Sequence, residues 1–465
     1  MSRVALAVEP APSGGEVRPP SAVPAVVAAG AGLVAVLVLA LVLGGGRPTP
    51  AAPGLAQAGP LVTWGLPVAT LAGRIAAVGT VGTLLFAAVL LPGPGRTLPP
   101  ASRRALRTAS WCALAWAAST VGGALLTLSQ LVGAAPTASS LRTFVTDLPA
   151  GRAAAVVLAA ACVVALLARR CTGAIEAGLL LAVAVSGLVV PAVLTGHSAT
   201  AADHVLAVTT LSLHVVAATA WVGGLLALLL HGRSLEDLAP AAHRFSTVAL
   251  VCSLVTGLSG LLAAWLVLGR AASASTLLGS GYGWLLLGKT TALLALGVLG
   301  WRHRRTSLPR LRTGQPGVFR RFAAVEAAVM LATVALAVAL AASPPPAAGS
   351  PAASTPAAAQ GAQPTSPQPA PPTLEDMSGH DHGDLSVTVL VDETRFHLSA
   401  PVAPGARVTV HNSTTTEVSI TADDGSFDVV VPGRSLLTFA APAQPGTYPF
   451  SSRHSESFGD VLVVR

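Results

Sequence analysis

Charge is scarce in this sequence: 10% of its 465 residues are Asp, Glu, Lys or Arg, where a soluble domain carries about 25%. Aromatics are thin as well, at 4%, so the 52% hydrophobic content is mostly Ala, Leu and Val. Lipid is the expected solvent for such a chain. Lysine occurs once, as Lys289, and every other basic side chain apart from histidine is arginine. The formal charge of +8 gathers into no patch and no aromatic-interleaved face, which excludes a nucleic-acid surface. The cysteines (Cys112, Cys162, Cys171 and Cys252) form no CxxC pair and lie in or beside apolar runs, which excludes a disulfide framework. They read as small buried hydrophobes, with Cys252 also a candidate soft metal ligand.

What the sequence does have is long apolar runs. A spanning helix needs ~20 mostly apolar residues, and nine segments qualify: 24–44, 68–92, 106–133, 153–169, 174–195, 204–230, 246–269, 283–301 and 322–342. The first is too long for the apolar part of a signal peptide and reads as an anchor. Arginines set the expected orientation. With the N-terminus in the cytoplasm, the inner segments hold Arg3, Arg18, Arg96, Arg103, Arg104, Arg107, Arg169, Arg170, Arg233, Arg244, Arg302, Arg304, Arg305, Arg310, Arg312, Arg320 and Arg321. The outer loops hold only Arg47, Arg142, Arg152 and Arg270. This bias predicts a multi-pass cytoplasmic-membrane protein with its C-terminus outside.

Composition divides the chain further. Residues 1–23 form a cytoplasmic tail, 24–199 the N-terminal helices and 200–342 a helical core. Residues 343–383 are rich in Pro and Ala and read as an extended linker. From 384 to 465 the pattern changes to short, β-branched, alternating stretches: LSVTVLVD, RFHLSA, ARVTVHN, TEVSITA, FDVVV, LLTFAA, TYPFSS and GDVLVVR. Turn residues separate them, which predicts a β-sandwich. The expected fold is an all-α polytopic membrane bundle with a small extracytoplasmic β domain.

Histidines are the clearest candidates for chemistry. His197 and His204 flank the outer loop GHSATAADH, and His214 lies ~15 Å deeper along the sixth span. Three imidazoles running inward from the outer mouth suit a soft or borderline cation such as copper or zinc. The plainer reading keeps His197 and His204 as interfacial polar residues. His214 lies within a span, where an ionisable group is a functional candidate by default. Arg74 and Lys289 also sit in apolar runs, in the outer half, where snorkelling to the headgroups is the plainer reading. Glu326 opens the last span beside Arg320 and Arg321 and is expected to pair with them. His231, His243 and His303 fall at cytoplasmic edges and are expected to be solvated.

Several of these residues carry a resemblance. HVVAATAWVGGLLALL (214–229), RFSTVALVCSLVTGLSG (244–260), GYGWLLLGKTTALLAL (281–296) and RRFAAVEAAVMLATVALAVALAASPPP (320–346) resemble the copper resistance protein D (CopD) family. The patterns His-x6-Trp-x-Gly-Gly and Tyr-Gly-x-x-Leu-x-x-Lys and the closing Glu-to-Pro-Pro helix occur in order. The resemblance covers roughly 200–346 and implies copper transport, often taken as uptake, or copper homeostasis at the cytoplasmic membrane. Trp221 lies almost two turns after His214 and shares its face. Gly223 and Gly224 permit close helix approach. Methionine departs from expectation: only Met1, Met330 and Met377 exist, so no thioether ladder can form and a route must rely on imidazole, with Cys252 as a further candidate.

The tail resembles a cupredoxin over HNSTTTEVSITADDGSFDVVVPGRSLLTFAAPAQPGTYPFSSRHSESFGDVLVV. A blue-copper site needs two His, a Cys and a weak axial ligand. The resemblance puts Val418 at the first His, Ser451 at the Cys and Ser457 at the axial Met, leaving only His454. No blue-copper centre is therefore expected. Just before the tail, MSGHDHGD offers Met377, His380, Asp381 and His382, a His-x-His with a thioether that can capture copper, where the plainer reading is a polar linker end. The functional expectation is copper transport or homeostasis, not an enzyme. Its partners would be copper, the lipid bilayer and an extracytoplasmic copper-binding protein. Two other readings stand beside it: a cytochrome b-like electron carrier, which needs paired intramembrane His, and an assembly or scaffold factor whose tail docks a copper enzyme.

Overall fold

The computed structural model describes residues 23–47, 58–92, 97–195, 201–235, 238–268, 277–307, 309, 311, 316–343, 388–398, 400–453 and 455–465. Its helices are α1 (Val23–Gly44), α2 (Pro60–Leu85), α3 (Pro100–Val132), α4 (Ala138–Asp147), α5 (Pro149–Leu167), α6 (Ala174–Thr195), α7 (Ala201–His231), α8 (Ala239–Leu268), α9 (Gly281–Arg302) and α10 (Pro316–Ala341). All but α4 are long and apolar enough to cross a membrane, nine in total among the described residues. π-Helical turns extend α2 over Phe86–Leu90 and α9 over His303–Ser307.

Local chemistry explains the boundaries. α2, α3 and α5 open on proline, which is preset for the first helical turn and lacks an N–H that would go unused there. α2 therefore begins at Pro60 rather than near 68, and Pro67 lies within it. α3 ends at Gly133, whose φ of 63° is the left-handed conformation that closes a helix. The short α4 was not expected. A reciprocal cap starts it, with Thr137 Oγ1 accepting from Ser140 N and Ser140 Oγ accepting from Thr137 N.

The bundle is held by close backbone approach as well as by bulk. α2 and α7 meet at Gly82 and Gly223: a Cβ on Gly223 would lie 2.9 Å from Gly82 Cα and nearer still to the Val78 carbonyl oxygen. Lipid gives no hydrophobic drive between helices, so this intimate packing is a main source of cohesion. Around it, Val78, Phe86, Trp221, Leu225, Phe245, Leu296, Phe319 and Met330 form a core shared by α2, α7, α8, α9 and α10.

The C-terminal domain has eight strands: β1 (Val389–Val391), β2 (Phe396–Leu398), β3 (Arg407–Asn412), β4 (Val418–Ala422), β5 (Asp428–Val431), β6 (Ser435–Ala440), β7 (Gly446–Ser452) and β8 (Ser455–Val464). They match the eight alternating stretches of the sequence one for one. They form two four-stranded sheets, ordered β2-β1-β3-β6 and β5-β4-β7-β8, with β1 and β3 parallel and the other neighbours antiparallel. Val391, Phe396, Val408 and Val410 of the first sheet share one core with Ile420, Val431, Phe450 and Leu462 of the second.

This domain docks on the bundle. Leu437 and Phe439 of β6 pack toward the domain core, so Leu436 points outward by strand alternation. It is nevertheless 2% exposed, because Leu128, Val132, Phe144 and Leu148 of the α3–α5 region cover it. Arg407 Nη2 lies 2.7 Å from Asp147 Oδ1, and Arg434 Nη1 donates to the Gly133 carbonyl. The domain follows α10 in sequence and rests on the end of α3. The ends of α3 and α10 therefore share one face of the bundle.

Candidate metal path and buried polar groups

His214 sits on α7 against α8, where its Nδ1 is 3.1 Å from Ser259 Oγ. Ser259 Oγ already donates its proton to the Val255 carbonyl at 2.5 Å. Its oxygen is thus an acceptor toward the imidazole, and His214 carries its proton on Nδ1. The Thr256 backbone also contacts the ring. A proton on Nδ1 leaves the Nε2 lone pair as the metal-binding one. Gly260 makes room for the ring: a Cβ there would lie 3.4 Å from His214 Cε1. Sequence reasoning missed Ser259. Its signal is a hydroxyl between two glycines, GLSG, on the helix that follows the histidine.

Lys289 on α9 lies close enough to His214 to act on it electrostatically. Arg74 is one turn from Leu71, and Leu71 packs with Leu285, Ala335 and Val338. Among the described residues neither Arg74 nor Lys289 makes an ion pair. Trp221 is 5% exposed in the shared core, and its indole N–H finds no acceptor among the described residues.

Two expectations are corrected at the opposite end of the bundle from the β domain. His231 and His303 are buried, not solvated, at 7% and 9% exposure. The cause is helix length: α7 runs to His231, and α9 with its π turn runs past His303, so both side chains continue the apolar stripe of their helix. Glu326 does not pair with Arg320 or Arg321. It is buried, and its Oε2 lies 3.2 Å from His303 Nε2. Phe319 and Phe322 stand edge-on to the His303 ring, at 5.4 and 6.0 Å between centroids.

The remaining expected ligands contribute no geometry. His197, Met377, His380, His382 and His454 lie outside the described residues, and of His204 only its place in α7 is described. Of the tail positions, Val418 is a core residue and Ser451 is exposed on β7. Cys252 is half-buried and free, as are the other three cysteines. Among the described residues no group of three or more His, Cys, Asp or Glu is placed to hold a metal ion. Among the described residues the bundle offers an oriented imidazole, His214, and an imidazole–carboxyl pair, His303–Glu326, while a second such pair, His397–Asp392, lies in the β domain.

A family model described as Copper resistance protein D matches residues 239–340, which span α8, α9 and most of α10. No curated protein matches the chain. The matched segment carries Ser259, Lys289, His303 and Glu326, and His214 packs against it from α7. With nine helices apolar and long enough to cross a membrane, the chain is a copper-resistance-related, multi-pass membrane protein, similar over residues 239–340 to the copper resistance protein D family.

Proposed function

We propose that the protein passes copper ions through its helix bundle, in the direction of uptake, and so serves copper homeostasis at the cytoplasmic membrane. The observation that carries this reading is His214: an imidazole within an apolar helix, oriented by Ser259, whose Oγ is 3.1 Å from Nδ1 and donates to the Val255 carbonyl. The family match supplies the identity of the ion. In this reading His197 and His204 receive copper at the outer mouth and His214 is the deepest transfer point. Lys289 carries the same sign of charge as the cargo, close to His214. It weakens a resting complex there and so keeps binding transient, as passage requires.

The N-terminus lies in the cytoplasm and the β domain outside. Arg302, Arg304 and Arg305 end α9 on the face opposite the docked β domain, which supports that orientation. The tail is a cupredoxin-like sandwich without a blue-copper centre, since apolar Val418 and exposed Ser451 stand at two of its ligand positions. Its place on the outer face suits it to meet an extracytoplasmic copper-binding protein, with Met377, His380 and His382 preceding it in sequence. We read the chain as a transporter or homeostasis protein and not an enzyme.

Cellular copper, measured in cells with and without the gene at matched external copper, tests this function. Higher accumulation with the gene is expected. Equal copper in both would overturn the reading.

A further inference from the structure

We infer that His303 and Glu326 form a proton-binding site within the bundle, which exchanges one proton with the water on the face opposite the β domain. The site involves none of the residues assigned to copper and stands whether or not the bundle carries that ion.

The argument begins with cost. Two ionisable side chains are 10% and 6% exposed, inside two helices long and apolar enough to cross a membrane. Removing a carboxylate and an imidazolium from water costs more than their attraction usually returns, and an apolar pair of the same volume would pack as well. Intramembrane ionisable groups of this kind mark ion or proton pathways. The pair avoids the penalty of separated charges by holding a single proton. That proton sits either on the Glu326 carboxyl facing a neutral imidazole or on a His303 imidazolium facing a carboxylate. Both forms are neutral overall.

Geometry fits this use. Nε2 and Oε2, 3.2 Å apart, are within reach of one proton, although their angle is not that of a formed hydrogen bond. Phe319 and Phe322 wall the imidazole with ring edges and keep bulk water off it. His303 also begins a π-helical turn, a geometry that often accompanies functional sites.

The other charged groups at this end do not replace the pair. On α9, Arg302 stacks over Phe322, Arg304 donates to the Ser246 carbonyl and Arg305 stacks over Trp301. On α8, Arg244 donates to the Leu90 carbonyl. Arg320 and Arg321 lie on α10 itself, and His231 ends α7 beside Phe86. Arg104 on α3 acts electrostatically on His231. Neither α1 nor the inner half of α2 carries a titratable residue. Among the described acids at this end, Glu176 is exposed at the start of α6 and accepts from the Thr172 N–H and hydroxyl, whereas Glu326 is buried. Loss of the shared proton leaves a carboxylate beside a neutral imidazole, one net negative charge, which can offset a cation entering the bundle.

Infrared spectroscopy of the full-length protein in lipid nanodiscs, titrated with pH and without copper, tests the site. The carbonyl stretch of a protonated carboxylic acid should appear and vanish across the titration. It should be lost in Glu326→Gln, retained in Glu176→Gln, and displaced in midpoint in His303→Gln. Parent protein labelled with carbon-13 glutamate reads the same band without any substitution, should a variant fold poorly. A spectrum that Glu326→Gln leaves unchanged, or a parent with no protonated glutamate at any pH, would overturn the proposal. A His303→Gln midpoint equal to the parent's would remove His303 from the site and refute the pair.

Discussion

The two halves of the molecule bury polar side chains in opposite ways. In the β domain, Asn412 is fully buried and uses its whole side chain. Nδ2 donates to the carbonyls of Thr416, Val431 and Pro432, and Oδ1 accepts from the Thr414 N–H and hydroxyl. It ties β3 of one sheet to the ends of β4 and β5 of the other. In the bundle, among the described residues, the Trp221 N–H finds no acceptor, Glu326 is placed against His303 with no other ion pair, and His214 is held through Nδ1 by Ser259. A saturated buried network specifies structure, whereas an unsaturated one retains capacity to bind. The β domain spends its polar groups on its own fold, and the bundle keeps some in reserve.

The sharpest way to break this comparison is to open the saturated network. Asn412→Ala removes the side-chain donor to the Val431 carbonyl and the acceptor of the Thr414 N–H, while the Thr416 carbonyl keeps the Thr414 hydroxyl, and should cost the β domain about 2 kcal/mol or more. Hydrogen–deuterium exchange on the full chain should show β3 to β6 losing protection while α7 to α10 keep theirs. Equal loss in both regions would mean that the halves fold as one unit. A smaller effect is expected at the joint between them. Leu436→Ala removes the side chain that fills the gap among Leu128, Val132, Phe144 and Leu148, and should weaken docking by about 2 kcal/mol. Exchange should then rise over α4 and not in the β-domain core.

The smallest effect concerns acid. Burial alone would raise the Asp392 carboxyl, but hydrogen bonds from the Thr394 hydroxyl, from His397 and from the Thr394 and Arg395 N–H groups outweigh it and hold the group at about 2. A depressed carboxyl contributes stability above its ordinary value near 3.8, and that stability is lost as pH falls through about 2. The loss should be on the order of 1 kcal/mol once solvent screening is allowed for. Protection of β1 and β2 should decline between pH 4 and pH 2 in the parent, and the decline should be flat in Asp392→Asn. Identical slopes would remove Asp392 from the account.

Much of the fold was legible because lipid and sheet impose strict patterns. Long apolar runs gave the spans, and period-two alternation gave all eight strands. Ends were less legible: Pro60 and Pro100 start helices well before the apolar runs do, since helix initiation needs only a proline and free N–H groups. In the site, His214 stood out as a lone imidazole in a span. Ser259 did not, because serine in a helix is common and its partner is 45 residues away. His303 was hidden in the run WRHRR, which reads as a loop, yet it follows Leu296 and Leu299 at helical spacing on a buried stripe. Glu326 likewise falls in the series Phe319, Ala323, Glu326 and Met330, which lines one buried face. That periodicity was in the sequence, but the nearby Arg320 and Arg321 offered a simpler partner. Leu436 was a further signal, an outward-facing leucine on a strand, and only the position of α4 explains it.

Copper flux through His214 tests the central claim most directly. The full-length protein in proteoliposomes, supplied with Cu(I) outside and a copper-sensitive dye inside, should carry the ion. At equal protein per vesicle, His214→Gln should reduce the rate by tenfold or more. Ser259→Ala, which frees the tautomer but keeps the ligand, should reduce it by about tenfold or less. Flux in His214→Gln equal to that of the parent would show that His214 is a packing residue and that copper takes another route.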